Sequence, residues 1–107
     1  MSHWSMVCRE HECPPGQARE VIVDGRVVAL FHADGEFYAL DGVCPHQGGP
    51  LGEGQLQGCV VTCPWHGWQF DVRTGQHQIS SQIRHPAYPV KVEGGAVYVD
   101  LENTVDS

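Results

Sequence analysis

Two short stretches carry side chains able to bind a metal. Cys63-Pro64-Trp65-His66 sets a cysteine and a histidine three positions apart, and Cys44-Pro45-His46 sets a second such pair two positions apart. Sixteen residues separate His46 from Cys63. Neither pair closes a metal site alone, but together they offer two thiolates and two imidazoles. Both pairs lie among glycines and prolines. The segment CPHQGGPLGEGQLQG holds five glycines and two prolines in fifteen residues, too irregular for a strand. An irregular loop inside a small β domain is usually a functional one.

Three kinds of metal site accept soft and borderline donors of this sort. Structural zinc sites commonly pair like with like, a Cys pair with a His pair, so the alternating order and the tight Cys-x-His spacing fit zinc poorly. A blue-copper centre needs two histidines, one cysteine and a weak methionine. The only methionines, Met1 and Met6, stand at the N-terminus. A [2Fe–2S] cluster with two histidines replacing two cysteines on one iron uses all four donors. Each loop would then give a thiolate to one iron and an imidazole to the other. The glycines would let backbone N–H groups approach the inorganic sulfides.

The elements that must hold these loops read as β throughout. Segments near 20–23, 26–32 and 36–40 read as strands, and Asp24-Gly25 and Asp34-Gly35 between these apolar runs are a strong hairpin signal. Further strands are expected over Leu56–Thr62 and Trp68–Val72, with a turn at Arg73-Thr74-Gly75. YPVKV and AVYVDL, joined by Gly94-Gly95, complete the pattern, and the polar ENTVDS end is expected to fray. No capped helical period, internal repeat or linker is visible. The 107 residues predict one domain, 1–107, with a cluster-binding part at about 43–72 and loose ends.

Composition narrows the class. There is no apolar run long enough to span a membrane and no basic, apolar leader, so a cytoplasmic setting is expected. Five cysteines are an odd number, which favours metal ligands or plain thiols over a disulfide framework. A formal charge of −7 disfavours nucleic acid and anionic membranes as partners and favours basic protein patches.

The residues CPHQGGPL (44–51), CPWHGWQFD (63–71) and the following Thr74-Gly75 resemble the Rieske protein family, and a looser β pattern extends that resemblance over 19–101. It implies an all-β fold, an antiparallel β-sandwich with a small two-loop cluster-binding subdomain at one tip. It also implies one [2Fe–2S] cluster, with Cys44 and Cys63 on one iron and His46 and His66 on the other. Respiratory members of the family add two cysteines that close a disulfide over the cluster; Gly49 and Trp65 stand in those places here. They also place serine and tyrosine hydroxyls where this chain has Trp68 and Phe70. Fewer donors to sulfur disfavour the reduced state, so a low-potential centre is expected.

With about forty residues following His66, the mononuclear-iron domain of Rieske oxygenases is not expected in this chain. The resemblance therefore implies a Rieske ferredoxin: a monomeric one-electron carrier, not itself an enzyme. It would serve transiently between a flavin-containing NAD(P)H reductase and a terminal oxygenase. A Rieske-like small subunit of an NAD(P)H nitrite reductase, or a redox-sensing module, is the alternative. One departure stands out: Ser80-Ser81 occupies the third loop where related ferredoxins carry a proline. Trp68 is expected to pack the loop onto the sheet and Trp65 to lie more exposed. Cys8 and Cys13 are expected on an edge segment, and Cys59 inside a strand as a small core residue. His3, His32, His77 and His85 are expected to be solvated or satisfied rather than ligands.

Overall fold

The computed structural model describes residues 4–43, 49–65, 67–80 and 82–105. Cys44, His46, His66 and Ser81 lie outside the described residues. Within them, ten strands form three antiparallel sheets. The central sheet contains β2 (Ala18–Val23), β3 (Arg26–Ala33), β4 (Glu36–Asp41) and β8 (Ala87–Tyr88), paired in that order. Its two hairpins turn where the sequence predicts. Asp24 and Asp34 adopt φ of 50° and 53°, each followed by a glycine near 80°, and this mirror-image turn matches the twist of the flanking strands.

A second sheet pairs β1 (Trp4–Arg9), β10 (Ala96–Asp100) and β9 (Val90–Glu93). The third is small: β5 (Gln55–Gln57), β6 (Val60–Thr62) and β7 (Gln69–Asp71). Strand alternation explains how the three are held together. Val28 and Leu30 on β3 join one apolar cluster with Val97 and Val99 of the second sheet. Ala29, Phe31 and Ala33 join another with Val61 and Phe70 of the third sheet and with Val72 just after it. The central sheet is thus buried on both faces, which is why β3 reads as an unbroken apolar run rather than a clean alternation.

Four local expectations change. The segment 56–62 is two strands, not one, because Gly58 turns the chain at φ 60° and the two halves pair with each other. Cys59 therefore sits on that turn, half-buried at the margin of the core instead of inside a strand. Cys8 lies on β1, an edge strand as expected, but its side chain and that of Cys13 are both buried in the apolar cluster facing the second sheet. Finally, the polar end is held as far as Val105. The buried Asp100 carboxylate accepts hydrogen bonds from Glu102 N–H and the Asn103 amide, folding the chain back. Val105 N–H then donates to Ala87 O, and Val105 O accepts from Arg84.

Candidate metal centre

The first loop is pinched at its neck. Val43 and Pro50 form an antiparallel bridge, and Leu51 N–H donates to Gly42 O at 2.9 Å. Below the neck the chain is tied on three sides. Gly42 N–H donates to Val27 O, and Asp41 N–H to Pro86 O. The ring Nε2–H of His85 donates to Asp41 O at 2.7 Å. On the far side, the short 3-10 turn Leu51–Glu53 lies directly on β2, with Leu51 fully buried.

The second loop leaves the end of β6 and re-enters at β7. Cys63 N–H donates to Trp68 O at 2.8 Å, and Gly67 N–H to Cys63 O at 3.1 Å, so Cys63 is fixed at the loop's closing rung. Its side chain is only 1% exposed and belongs to the core cluster of Phe31, Val61 and Phe70. Trp68 packs against that cluster, as expected of a structural aromatic. Trp65 projects from the loop at 60% exposure.

The two loops meet at Cys63. A Cβ on Gly49 would stand 2.9 Å from Cys63 Sγ and 3.0 Å from Trp65 Cγ, closer than real side chains pack. Only glycine lets the first loop lie against the second at this thiol. Of the four ligands expected from sequence, Cys63 is the one among the described residues, and it is placed where the loops converge. Cys44, His46 and His66 belong to the same two loops but lie outside the described residues.

A third loop, 72–86, flanks the other two. Gln78 N–H donates to Gln69 O and Asp71 N–H to Gln76 O, tying it to β7. No proline shapes its turn; polar side chains do. His77 Nδ1 accepts hydrogen bonds from Ile79 and Ser80 N–H, each at 3.1 Å, and the Gln76 amide donates to Ser80 O and Ile83 O. Gly75 faces the His85 carbonyl so closely that no Cβ fits there. Ile79, at the tip, is 90% exposed. His77 and His85, expected to be solvated or satisfied, are buried against Phe70 and only half satisfied. Among the described residues, His77 Nε2 and His85 Nδ1 have no hydrogen-bond partner.

Cys8 and Cys13 are poor ligand candidates. Burial pushes the Cys8 thiol up and the Cys13 thiol up to about 11, so both stay protonated. They also face the opposite side of the central sheet from Cys63. The Asp71 carboxylate, by contrast, is held below its usual range by the Arg73 guanidinium, which meets it through two side-chain hydrogen bonds of 3.0 and 2.8 Å. That pair staples the turn after β7.

Known proteins resemble this chain over most of its length. The pattern of the Rieske [2Fe-2S] domain matches residues 3–91. The ferredoxin component of the naphthalene 1,2-dioxygenase system of Pseudomonas aeruginosa is 36% identical over 99 residues, covering 92% of this chain and 95% of that protein. The ferredoxin of carbazole 1,9a-dioxygenase from Nocardioides aromaticivorans IC177 superposes with a TM-score of 0.84 at 29% identity, over 92% of this chain and 97% of that one. A chain from the complex of reduced oxygenase and oxidized ferredoxin in carbazole 1,9a-dioxygenase gives 0.87 at 32% identity, over 99% and 100%.

Two outcomes test the site's construction. Gly49→Ala should cost cluster content while leaving the central sheet intact, because its methyl displaces the first loop from Cys63 Sγ. The readout is visible absorbance per chain alongside far-ultraviolet circular dichroism. His85 reports on the neck through pH. Burial lowers its folded pKa below the ordinary 6.5, so the unfolded chain binds the proton more readily. Its contribution to stability is full above about pH 6.5 and is lost as pH falls from there towards the folded value. His85→Gln keeps a donor for Asp41 O without the titration. Its melting temperature should therefore fall less between pH 7 and 5 than that of the unaltered protein.

Proposed function

The chain belongs to the Rieske [2Fe–2S] family, and from that premise we propose that it is a one-electron carrier of the ferredoxin kind, accepting electrons from a flavin-containing NAD(P)H reductase and delivering them to a terminal oxygenase. The observation that carries this reading is the convergence of two loops on the buried Cys63 thiol, with the Gly49 backbone against its sulfur. In this proposal Cys44 and Cys63 hold one iron, and His46 and His66 hold the other. The donor set suits that group, with thiolates for one iron and imidazoles for its neighbour. The cluster supplies reversible one-electron chemistry; the chain supplies its seat, its electrostatics and its docking face.

The residues divide that work between them. The Cys63–Trp68 rung and the Val43–Pro50 bridge fix the two loops relative to the sheet, so the seat is set before any partner arrives. Trp65 and Ile79 are exposed apolar side chains on neighbouring loops and would meet a partner at the cluster end. The chain as a whole is acidic, with a formal charge of −7. An acidic carrier is steered towards basic patches on both reductase and oxygenase, and a small, wet interface lets it leave again. Support for the oxygenase as one of those partners comes from the likeness to a chain of an oxygenase–ferredoxin complex. Phe70, fully buried, offers no hydroxyl to a ligand sulfur, in keeping with a potential near the low end of the Rieske range, roughly −150 mV.

Stopped-flow reduction by a flavin-containing NAD(P)H reductase tests the carrier role. The second-order rate should be highest at low salt and fall as the Debye length shortens to about 8 Å near physiological ionic strength. A rate indifferent to salt, or a reductase complex that survives gel filtration at high salt, would mark a fixed subunit.

A further inference from the structure

Two strand edges border one cleft. β4 pairs with β8 only at Ala39 and Leu40, and after Pro89 the chain leaves to join the second sheet as β9. Among the described residues no ladder joins β4 to β9. Between them lies a cavity of about 320 Å³, with Gly35, Glu36 and Phe37 on one side and Val90, Lys91 and Val92 on the other. A second, of about 270 Å³, shares Glu36, Phe37 and Val90 with it and runs on to Pro89.

The alternation of ladder bonds fixes which backbone groups are left over. The two-residue Gly94-Gly95 turn, with φ of 58° and 79°, makes Glu93 and Ala96 a hydrogen-bonded pair. Bonds between β9 and β10 therefore fall at Glu93 and Lys91 and skip Val92 and Val90. The next bond in that series, Asp100 N–H to Pro89 O at 3.0 Å, falls where the alternation requires. The N–H and C=O groups of Val90 and Val92 thus point away from β10 and find no partner among the described residues. On β4 the same reasoning, started from Asp41 N–H on Pro86 O, leaves the Phe37 backbone unpaired on the side β8 does not reach.

An open strand edge is completed by another extended chain, and the side chains say of what kind. Phe37, stacked on His32 at 4.1 Å, gives an apolar wall together with Val90 and Val92. Glu10 and Glu36, both exposed, add two carboxylates. Lys91 does not offset them. Its ammonium is held on the opposite face of β9, 4.8 Å from the Trp4 ring, 5.6 Å from the Tyr98 ring and 3.3 Å from the Glu93 carboxylate. We propose that the cleft binds an extended, basic segment of a partner protein by strand addition, its backbone pairing with Val90 and Val92 and a cationic side chain meeting Glu10 and Glu36. Asp41, at the neck of the first loop, stands four residues beyond Phe37 on β4, about 13 Å at the rise of a strand. A partner held here leaves the cluster end free, so the inference goes beyond the proposed function and does not depend on it.

Amide exchange read by NMR on the cluster-loaded protein tests the proposal, with a short capped peptide alternating lysine and valine as the probe. In the free protein the Val90 and Val92 amides should exchange at least about tenfold faster than those of Lys91 and Glu93. Saturating peptide should remove that difference, and the same peptide with glutamate for lysine should not. Val92→Pro deletes an outward donor and leaves the β10 ladder whole, so it should weaken binding about tenfold, the worth of one hydrogen bond. Glu10→Gln with Glu36→Gln removes the charge without touching the backbone. It should also weaken binding and flatten its dependence on salt. Protection confined to other residues, equal binding of the glutamate peptide, or unweakened binding by either folded variant would overturn the proposal. So would Val90 and Val92 amides whose protection grows with protein concentration and no peptide present, the sign of a second copy in the cleft.

Discussion

The contact between the Gly49 backbone and Cys63 Sγ is the constraint from which the rest of the site follows. The first loop lies so close to the second that a Cβ on Gly49 would stand 2.9 Å from the Cys63 sulfur, which the proposed function makes a cluster ligand. A side chain at position 49 would hold the loops apart. So would any slack at their bases, and each base is accordingly closed by its own hydrogen bonds: Leu51 to Gly42 in the first, Cys63 to Trp68 in the second. Those bonds depend in turn on the central sheet, because Gly42 is tied to Val27 and Asp41 to Pro86.

The layering of the sheets sets what each part of the chain does. One face of the central sheet carries the site, through Phe31, Val61, Cys63 and Phe70; the other packs β1, β9 and β10, through Val28, Leu30, Val97 and Val99. Cys8 and Cys13 fall on the second face and are apolar filling there, protonated and away from the ligand loops. The end of the chain adds a brace to the site's side. Arg84 joins Val105 O to Thr74 O, linking the last described residue to the third loop. None of the described helical segments is long and apolar enough to cross a membrane.

Much of this was legible in the sequence because the signals were local. Asp24-Gly25, Asp34-Gly35 and Gly94-Gly95 announced three hairpins, and all three pairs have positive φ. The Cys-x-His and Cys-x-x-His spacings announced the metal chemistry. What escaped was non-local or built from small departures. β1 carries no clean alternation and bulges between Met6 and Cys8, so it emerges only by pairing with β10. Gly58 divides one apparent strand into two. His77 and His85 look like ordinary polar residues in a loop, and are buried only because the 75–85 hairpin lays both rings on Phe70. No spacing rule reports a contact of that kind.

Iron and acid-labile sulfide analysis of the purified protein and of its five single Cys→Ser variants tests the central claim most directly. The account predicts two irons and two sulfides per chain in the unaltered protein, as the [2Fe–2S] composition requires. Cys44→Ser and Cys63→Ser should lose both, whereas Cys8→Ser, Cys13→Ser and Cys59→Ser should keep both. One zinc without sulfide in the unaltered protein, or loss of iron on replacing Cys8, Cys13 or Cys59, would contradict it.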